Sequence, residues 1–147
     1  MVNFFTQDWA LLGTVDPDAM TAGTDGTDII DMKYWDEVAF VLQVGEMQAT
    51  STVDFLIQAS ASSDMSSPAT IRSATQLTAA GSDDDKQVIL TVRGAELAAD
   101  GYRYVRGKIT VGTAASDVAV VALGRGTYKP ASDFDIASVD EIKNSGT

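Results

Sequence analysis

The chain has 147 residues, of which 45% are hydrophobic, and it contains neither histidine nor cysteine. This length predicts one domain with a single core, and this composition is typical of a folded protein. The absent residue types exclude disulfides, Ser-His-Asp or Cys-His catalysis, and zinc sites of the usual kind. The formal net charge of −11 opposes binding to nucleic acid and to anionic membranes.

Targeting and membrane segments are not expected. No apolar run approaches the roughly 20 residues that a membrane helix needs. The first nine residues, MVNFFTQDW, lack the basic region and the long apolar region of a signal peptide. The absence of cysteine fits a protein that is made in a reducing cytosol.

The charge is unevenly distributed along the chain. Residues 1–64 hold 11 acidic side chains and one basic one, whereas residues 65–130 hold six acidic and eight basic ones. Ordinary solubilising charge is the simplest interpretation. The alternative is that the acidic N-terminal part of one subunit contacts the more basic strands of a neighbour, or a basic partner surface.

Residues 1–26 are predicted to form an N-terminal arm. The stretch VDPDAMTAGTDGTD is rich in Asp, Gly, Thr and Pro, which favour loops. A dense apolar cluster precedes it. Folded back, this cluster would cap the core; folded outward, it would anchor the chain to something else. Its members are Phe4, Phe5, Trp9, Leu11 and Leu12.

Residues 27–128 are predicted to form the β-domain. Alternating apolar residues predict strands over residues 37–45 and 51–60, and a shorter strand over residues 27–32. Both faces of the strand over residues 37–45 are apolar, so we expect it to lie in the middle of a sheet. We expect it to pair antiparallel with the strand over residues 51–60.

Residues 86–126 carry three further predicted strands in a row, KQVILTVRG, YRYVRGKITVG and DVAVVALGRG. They are expected to be consecutive neighbouring strands. One or two helical turns are expected between the first two, and Gly107 suggests a close backbone approach. With a short strand over residues 72–78, the sequence predicts an all-β fold. It would be a single antiparallel β-sandwich or small barrel of about six to eight strands, followed by a C-terminal arm over residues 129–147.

The acidic clusters carry no recognisable metal motif. Asp83, Asp84 and Asp85 could attract a hard cation, but the spacing and the bidentate Glu of an EF-hand are missing. A solvated turn is the better interpretation, and the same holds for residues 16–18 and 25–28. No phosphate-binding Gly motif occurs. We therefore expect no metal, no cofactor and no enzymatic activity, although 21 acidic residues leave a carboxylate pair for glycoside hydrolysis open.

One predicted strand is both basic and aromatic, because it carries Tyr102, Arg103, Tyr104 and Arg106. Such a strand could stack bases or bind sugar. The net charge opposes nucleic acid, so an outer sheet face or a subunit contact with cation–π pairs is the favoured interpretation.

Residues 31–128 resemble small proteins that are encoded beside the major capsid gene of tailed phages. The resemblance is carried by MKYWDEVAFVLQVGEMQATSTVDFLIQAS, DDDKQVILTVRGAELAADGYRYVRGKITVG and AVVALGRGTY. Those proteins are capsid decoration, or cement, proteins. The resemblance implies a virion protein on the outer capsid surface, made in the host cytoplasm, that binds the major capsid protein and stabilises the head.

The resemblance also implies self-association, with a homotrimer favoured over a dimer. The net charge predicts no nucleic-acid or membrane partner. Deleting residues 1–12 is expected to leave a folded domain that no longer attaches to heads. The candidate residues for contact with the capsid or with another subunit are Phe4, Phe5, Trp9, Leu11, Leu12, Trp35, Tyr102, Arg103, Tyr104 and Arg106.

Two alternatives remain open on the sequence. A phage tail-tube or baseplate subunit would also be β-rich, but it would polymerise into rings or tubes. A carbohydrate-binding adhesion module would expose aromatic side chains, for which Trp35, Tyr102 and Tyr104 are candidates.

Overall fold

The computed structural model describes residues 5–126 and 138–143. Nearly all of the regular structure in these residues is β-strand. The helices are short: α1 (Phe5–Asp8), α2 (Gly94–Ala99) and a 3-10 turn at Ala79–Gly81. The strands are β1 (Trp9–Met20), β2 (Gly23–Gly26), β3 (Ile30–Asp31), β4 (Glu37–Met47), β5 (Thr52–Ser60), β6 (Ala69–Ser73), β7 (Leu77–Thr78), β8 (Gln87–Arg93), β9 (Tyr104–Gly112) and β10 (Ser116–Arg125).

The strands form two antiparallel sheets that pack face to face. The four-stranded sheet has the order β1-β10-β4-β8. The six-stranded sheet has the order β2-β9-β5-β6, with β3 also paired to β9 and β7 to β5. This confirms the predicted all-β antiparallel sandwich. The sheets do not close into a barrel.

The core lies between the sheets and follows the alternation read from the sequence. Strand β4 contributes Phe40 and Leu42, and β5 contributes Phe55 and Ile57, all of them fully or almost fully buried. Strand β4 lies between β10 and β8, which confirms its predicted central position. Gly107 permits the predicted close approach, because a Cβ there would lie 2.9 Å from Cδ1 of Phe40 on the opposite sheet.

The predicted strand partners are wrong at two places. Strands β4 and β5 do not pair, because the turn after Met47 carries the chain from one sheet to the other. Strands β8, β9 and β10 are not neighbours either, since β9 lies in the six-stranded sheet and the other two lie in the four-stranded sheet. The physical reason is that a period of two fixes which face of a strand is buried but not which strand lies beside it.

The predicted N-terminal arm is wrong over Trp9 to Gly26, because these residues form β1 and β2. Strand β1 pairs with β10 and β2 pairs with β9. The loop-forming residues around Pro17 produce a register shift between Val15 and Asp18, which an edge strand tolerates. Ala10 is completely buried. Deleting residues 1–12 would therefore remove part of the core, contrary to the expected intact domain.

Only part of the predicted C-terminal arm can be compared with the structure. Residues 138–143 form no helix or strand, and the Ser138 hydroxyl lies 3.2 Å from the Thr14 hydroxyl on β1. The remainder of the arm, like the contact candidate Phe4, lies outside the described residues.

Candidate interaction surface

The side of the four-stranded sheet that points away from the core is apolar; we call it the outer face. Cross-strand register places its side chains in rows, in one of which Thr14, Val121, Val41 and Ile89 lie side by side. Ile89 is 65% exposed. The other side chains are partly exposed. The apolar members of the outer face are Leu11, Ala39, Val41, Ile89, Ala119, Val121 and Leu123.

One corner of the outer face joins two of the predicted contact residues. Phe5 on α1 stacks on Trp9 at the start of β1, with ring centroids 6.2 Å apart and planes 5° apart. Phe5 is 57% exposed. The Arg125 guanidinium lies 5.9 Å from the centre of the Trp9 ring. The stacked aromatics therefore extend the apolar surface towards a cationic corner.

Charged and polar side chains border the outer face at both ends. The row that contains Trp9 continues across the sheet with Arg125, Glu37 and Arg93. The opposite end carries Gln43 beside Gln87, and the exposed Asp117 beyond them. An apolar centre with a polar rim is the usual composition of a protein–protein contact surface.

The outer side of the six-stranded sheet is polar by comparison. Arg106 on β9 donates two hydrogen bonds to Oε1 of Gln58 on β5, at 3.1 and 3.0 Å. Thr110 and Thr24 share a hydroxyl–hydroxyl contact of 3.1 Å. The sandwich therefore exposes one apolar and one polar side, and Arg106 belongs to the polar one.

Arg103 forms an ion pair just before β9. Its Nε and Nη2 donate to the two carboxylate oxygens of Asp31 at 2.8 and 2.6 Å, and its guanidinium lies 5.1 Å from the centre of the Tyr104 ring. These hydrogen bonds hold the pKa of the Asp31 carboxyl below its ordinary value and raise the pKa of Arg103. The predicted cation–π pair is present, but both its members lie away from the outer face, and Tyr102 packs partly against the core.

Trp35 is not a contact residue. It is only 8% exposed and belongs to the core. Gly124 and Gly126 leave room for its ring, since a Cβ on Gly126 would lie 3.3 Å from Cε3 of Trp35. Leu12 packs beside it over Gly124, because the register shift after Leu11 moves it off the outer face. Trp35 therefore offers no exposed platform for a sugar or a partner.

The acidic side chains mostly serve local backbone structure. Asp83 and Asp84 accept the N–H groups of Thr78 and Met47, each at 2.9 Å. A depression of about 420 Å³ beside β1 is lined by four aspartates, all of which are exposed and accept hydrogen bonds from neighbouring N–H or hydroxyl groups. These aspartates are Asp16, Asp18, Asp25 and Asp28. Among the described residues, no three acidic side chains are placed to bind a metal ion together.

The outer face is the feature that sequence analysis missed. The signal was present, because Ala39 and Val41 alternate with buried residues on β4, and Val121 and Leu123 do so on β10. Apolar residues on both sides of a strand indicate a central position in the sheet. They also mark a sheet whose second side has no other sheet packed on it in the part of the chain that the structure describes.

No protein-family model matches the chain, and no curated protein matches its sequence. Over residues 5–126 and 138–143, none of the helices has the length and apolar character to cross a membrane.

Proposed function

We propose that this chain is a structural protein of a tailed-phage head, which binds the outer capsid surface through the outer face and cements neighbouring capsomers. The observation that carries the proposal is the apolar outer face, over which no other strand of residues 5–126 lies. A folded protein rarely leaves a broad apolar surface in water unless it contacts another macromolecule there. The sequence resemblance supplies the partner, the major capsid protein.

The proposed mechanism is passive. A protein that binds only the assembled lattice stabilises that state by mass action and needs no chemical step. Burying the apolar centre would supply affinity. The rim residues Arg93, Glu37 and Arg125 carry alternating charge, which would favour one orientation on the capsid over others.

The fold suits this role because the contact surface is rigid. Val41 and Val121 project from interior strands, whose inward-facing neighbours Phe40, Leu42 and Val120 form the core. Since the core fixes the strands, the outer face loses little conformational freedom on docking.

The proposal is tested by sedimenting the purified protein with phage heads that lack it. Expanded heads should carry it down at a saturating, symmetry-related stoichiometry, whereas unexpanded shells should bind less, because their capsomers are arranged differently. Failure to sediment with either form would contradict the proposal. Assembly of the protein alone into rings or tubes would instead support a tail subunit.

A further inference from the structure

Strand β8 exposes a regular backbone edge. It is the last strand of the four-stranded sheet, and no described strand pairs with its other side. The Val44 N–H donates to the Lys86 carbonyl, and the Gly94 N–H donates to the Asp36 carbonyl, both at 2.9 Å. Along an antiparallel strand, every second residue directs its N–H and C=O groups to the same neighbour. Since Lys86 and Gly94 bond to β4, the even-numbered residues of β8 between them do so as well. The N–H and C=O groups of Gln87, Ile89, Thr91 and Arg93 therefore point to the free edge.

The other sheet edges carry features that discourage pairing. Strand β1 has two register shifts and contains Pro17 between two aspartates. Strand β2 is four residues long, and β6 is five residues long and pairs with a register shift. Strand β8 has seven residues in unbroken register with β4 and no charge between Gln87 and Val92. Natural proteins seldom leave such an edge unpaired.

Helix α2 does not cover the middle of this edge. It starts directly after β8 and turns towards the other sheet, where Leu97 is buried and Glu96 forms an ion pair with Arg72 on β6 at 2.7 Å. Ile89 lies about 17 Å along the strand from Gly94 and is 65% exposed. The middle of β8 is therefore accessible to another strand.

We infer that two copies of this chain pair through β8, antiparallel and centred on Ile89. A two-fold axis there places Ile89 opposite its own counterpart and Gln87 opposite Thr91 of the other copy. All three positions direct their N–H and C=O groups outward, as pairing requires. The same register brings Arg93 towards Asp85 of the other copy, a residue of opposite charge just before β8, and places Lys86 opposite the uncharged Val92.

The pairing would join two four-stranded sheets into one sheet of eight strands. Odd-numbered residues of β8 lie on the outer face in both copies, so the two outer faces would become continuous. A closed two-fold pair gives a dimer and not the trimer that the resemblance suggests. The inference rests on strand geometry and does not depend on binding to phage heads.

Sedimentation velocity of the full chain over a concentration series tests the inference. The unmodified protein should form a dimer, and Ile89→Pro should be monomeric, because proline removes an edge N–H without touching the β4 ladder. Ile89→Thr keeps that N–H and should remain dimeric. Circular dichroism verifies that both variants are folded. A monomeric unmodified protein, or a folded Ile89→Pro dimer, would overturn the inference.

Cysteine cross-linking tests the register, because the natural chain has no cysteine. With Ile89→Cys, the paired Cα atoms would lie about 5.5 Å apart, which suits a disulfide. With Thr91→Cys, the two Cα atoms would lie about 14 Å apart. Under oxidation, Ile89→Cys should give covalent dimers and Thr91→Cys should not. The reverse result would overturn the proposed register.

Discussion

Val41 on β4 and Ile89 on β8 are register partners, and both side chains point away from the core. Val121 lies on the other side of Val41, so an interior strand of the sandwich carries a valine between two apolar neighbours in contact with solvent. Next to Val41 in the sequence, Leu42 points inward and is fully buried. Two adjacent residues of one strand therefore lie on opposite sides of the sheet, Val41 on the outer face and Leu42 in the core.

This arrangement predicts opposite outcomes for neighbouring substitutions. Val41→Lys should change the free energy of unfolding by no more than about 1 kcal/mol, because the lysine stem can lie along the sheet while its charge stays in water. Leu42→Ala should cost about 2 to 5 kcal/mol, because it leaves a cavity. Urea unfolding followed by circular dichroism measures both. Equal losses in the two variants would mean that the outer face is covered in the folded chain.

Because the two sheets approach closely at Gly107, a methyl group added at this position should destabilise the fold. A Cβ there would lie 2.9 Å from the Phe40 ring, so Gly107→Ala should cost about 1 to 3 kcal/mol through overpacking. Gly23→Ala on β2 is the matched control, because its Cβ would meet nothing closer than 3.7 Å. The same urea experiment distinguishes them. A neutral Gly107→Ala would show that the two sheets are farther apart at this point.

Thr27 lies in the chain between β2 and β3, and its side chain bonds to the neighbouring strand β9. Its hydroxyl accepts the Gly107 N–H at 3.0 Å and donates to the Asp28 carbonyl at 3.1 Å, and the residue is buried. Thr27→Val should cost about 1 to 3 kcal/mol, because the Gly107 N–H loses its partner inside the protein. Thr24→Val removes a hydroxyl from the exposed surface of the same sheet and should cost much less. Thermal unfolding of the two variants would reveal the difference; equal melting temperatures would contradict it.

The ion pair between Asp31 and Arg103 predicts a pH dependence. Because hydrogen bonds from Arg103 lower the pKa of Asp31 below its ordinary 3.8, the unfolded chain takes up this proton first as pH falls. The pair therefore stabilises the fold above the ordinary pKa and loses that contribution as pH falls through the lowered one. Asp31→Asn should be less stable than the unmodified protein at neutral pH, and the difference should shrink in acid.

Urea unfolding at several pH values measures this difference. Glu46→Gln serves as the control, since it removes an exposed carboxylate that carries no ion pair among the described contacts. A stability difference for Asp31→Asn that stayed constant into acid would contradict the lowered pKa.

The sequence predicted the faces of the strands better than their partners. Val38, Phe40 and Leu42 had to be buried together because they alternate along one strand, and the structure places all three in the core. The neighbours of that strand are β8 and β10, which come from distant parts of the chain. Local alternation carries no information about such pairing.

The errors at Pro17 and Trp35 have a different physical origin. Turn-forming residues around Pro17 resemble a loop, but an edge strand accommodates them in a bulge, and so this part of the predicted arm belongs to β1. The burial of Trp35 depends on Gly124 and Gly126, about 90 residues away, whose missing side chains make room for the ring. Neither effect can be read from the residues next to the one in question.

Binding of Val41→Lys to phage heads tests the central claim most directly. The control is Thr110→Lys, which adds the same charge to the polar side of the sandwich. If the outer face docks on the capsid, Val41→Lys should stay folded and lose at least about tenfold in affinity, which corresponds to about 1.4 kcal/mol, while Thr110→Lys should sediment with heads as the unmodified protein does. Unimpaired binding of folded Val41→Lys would contradict the account.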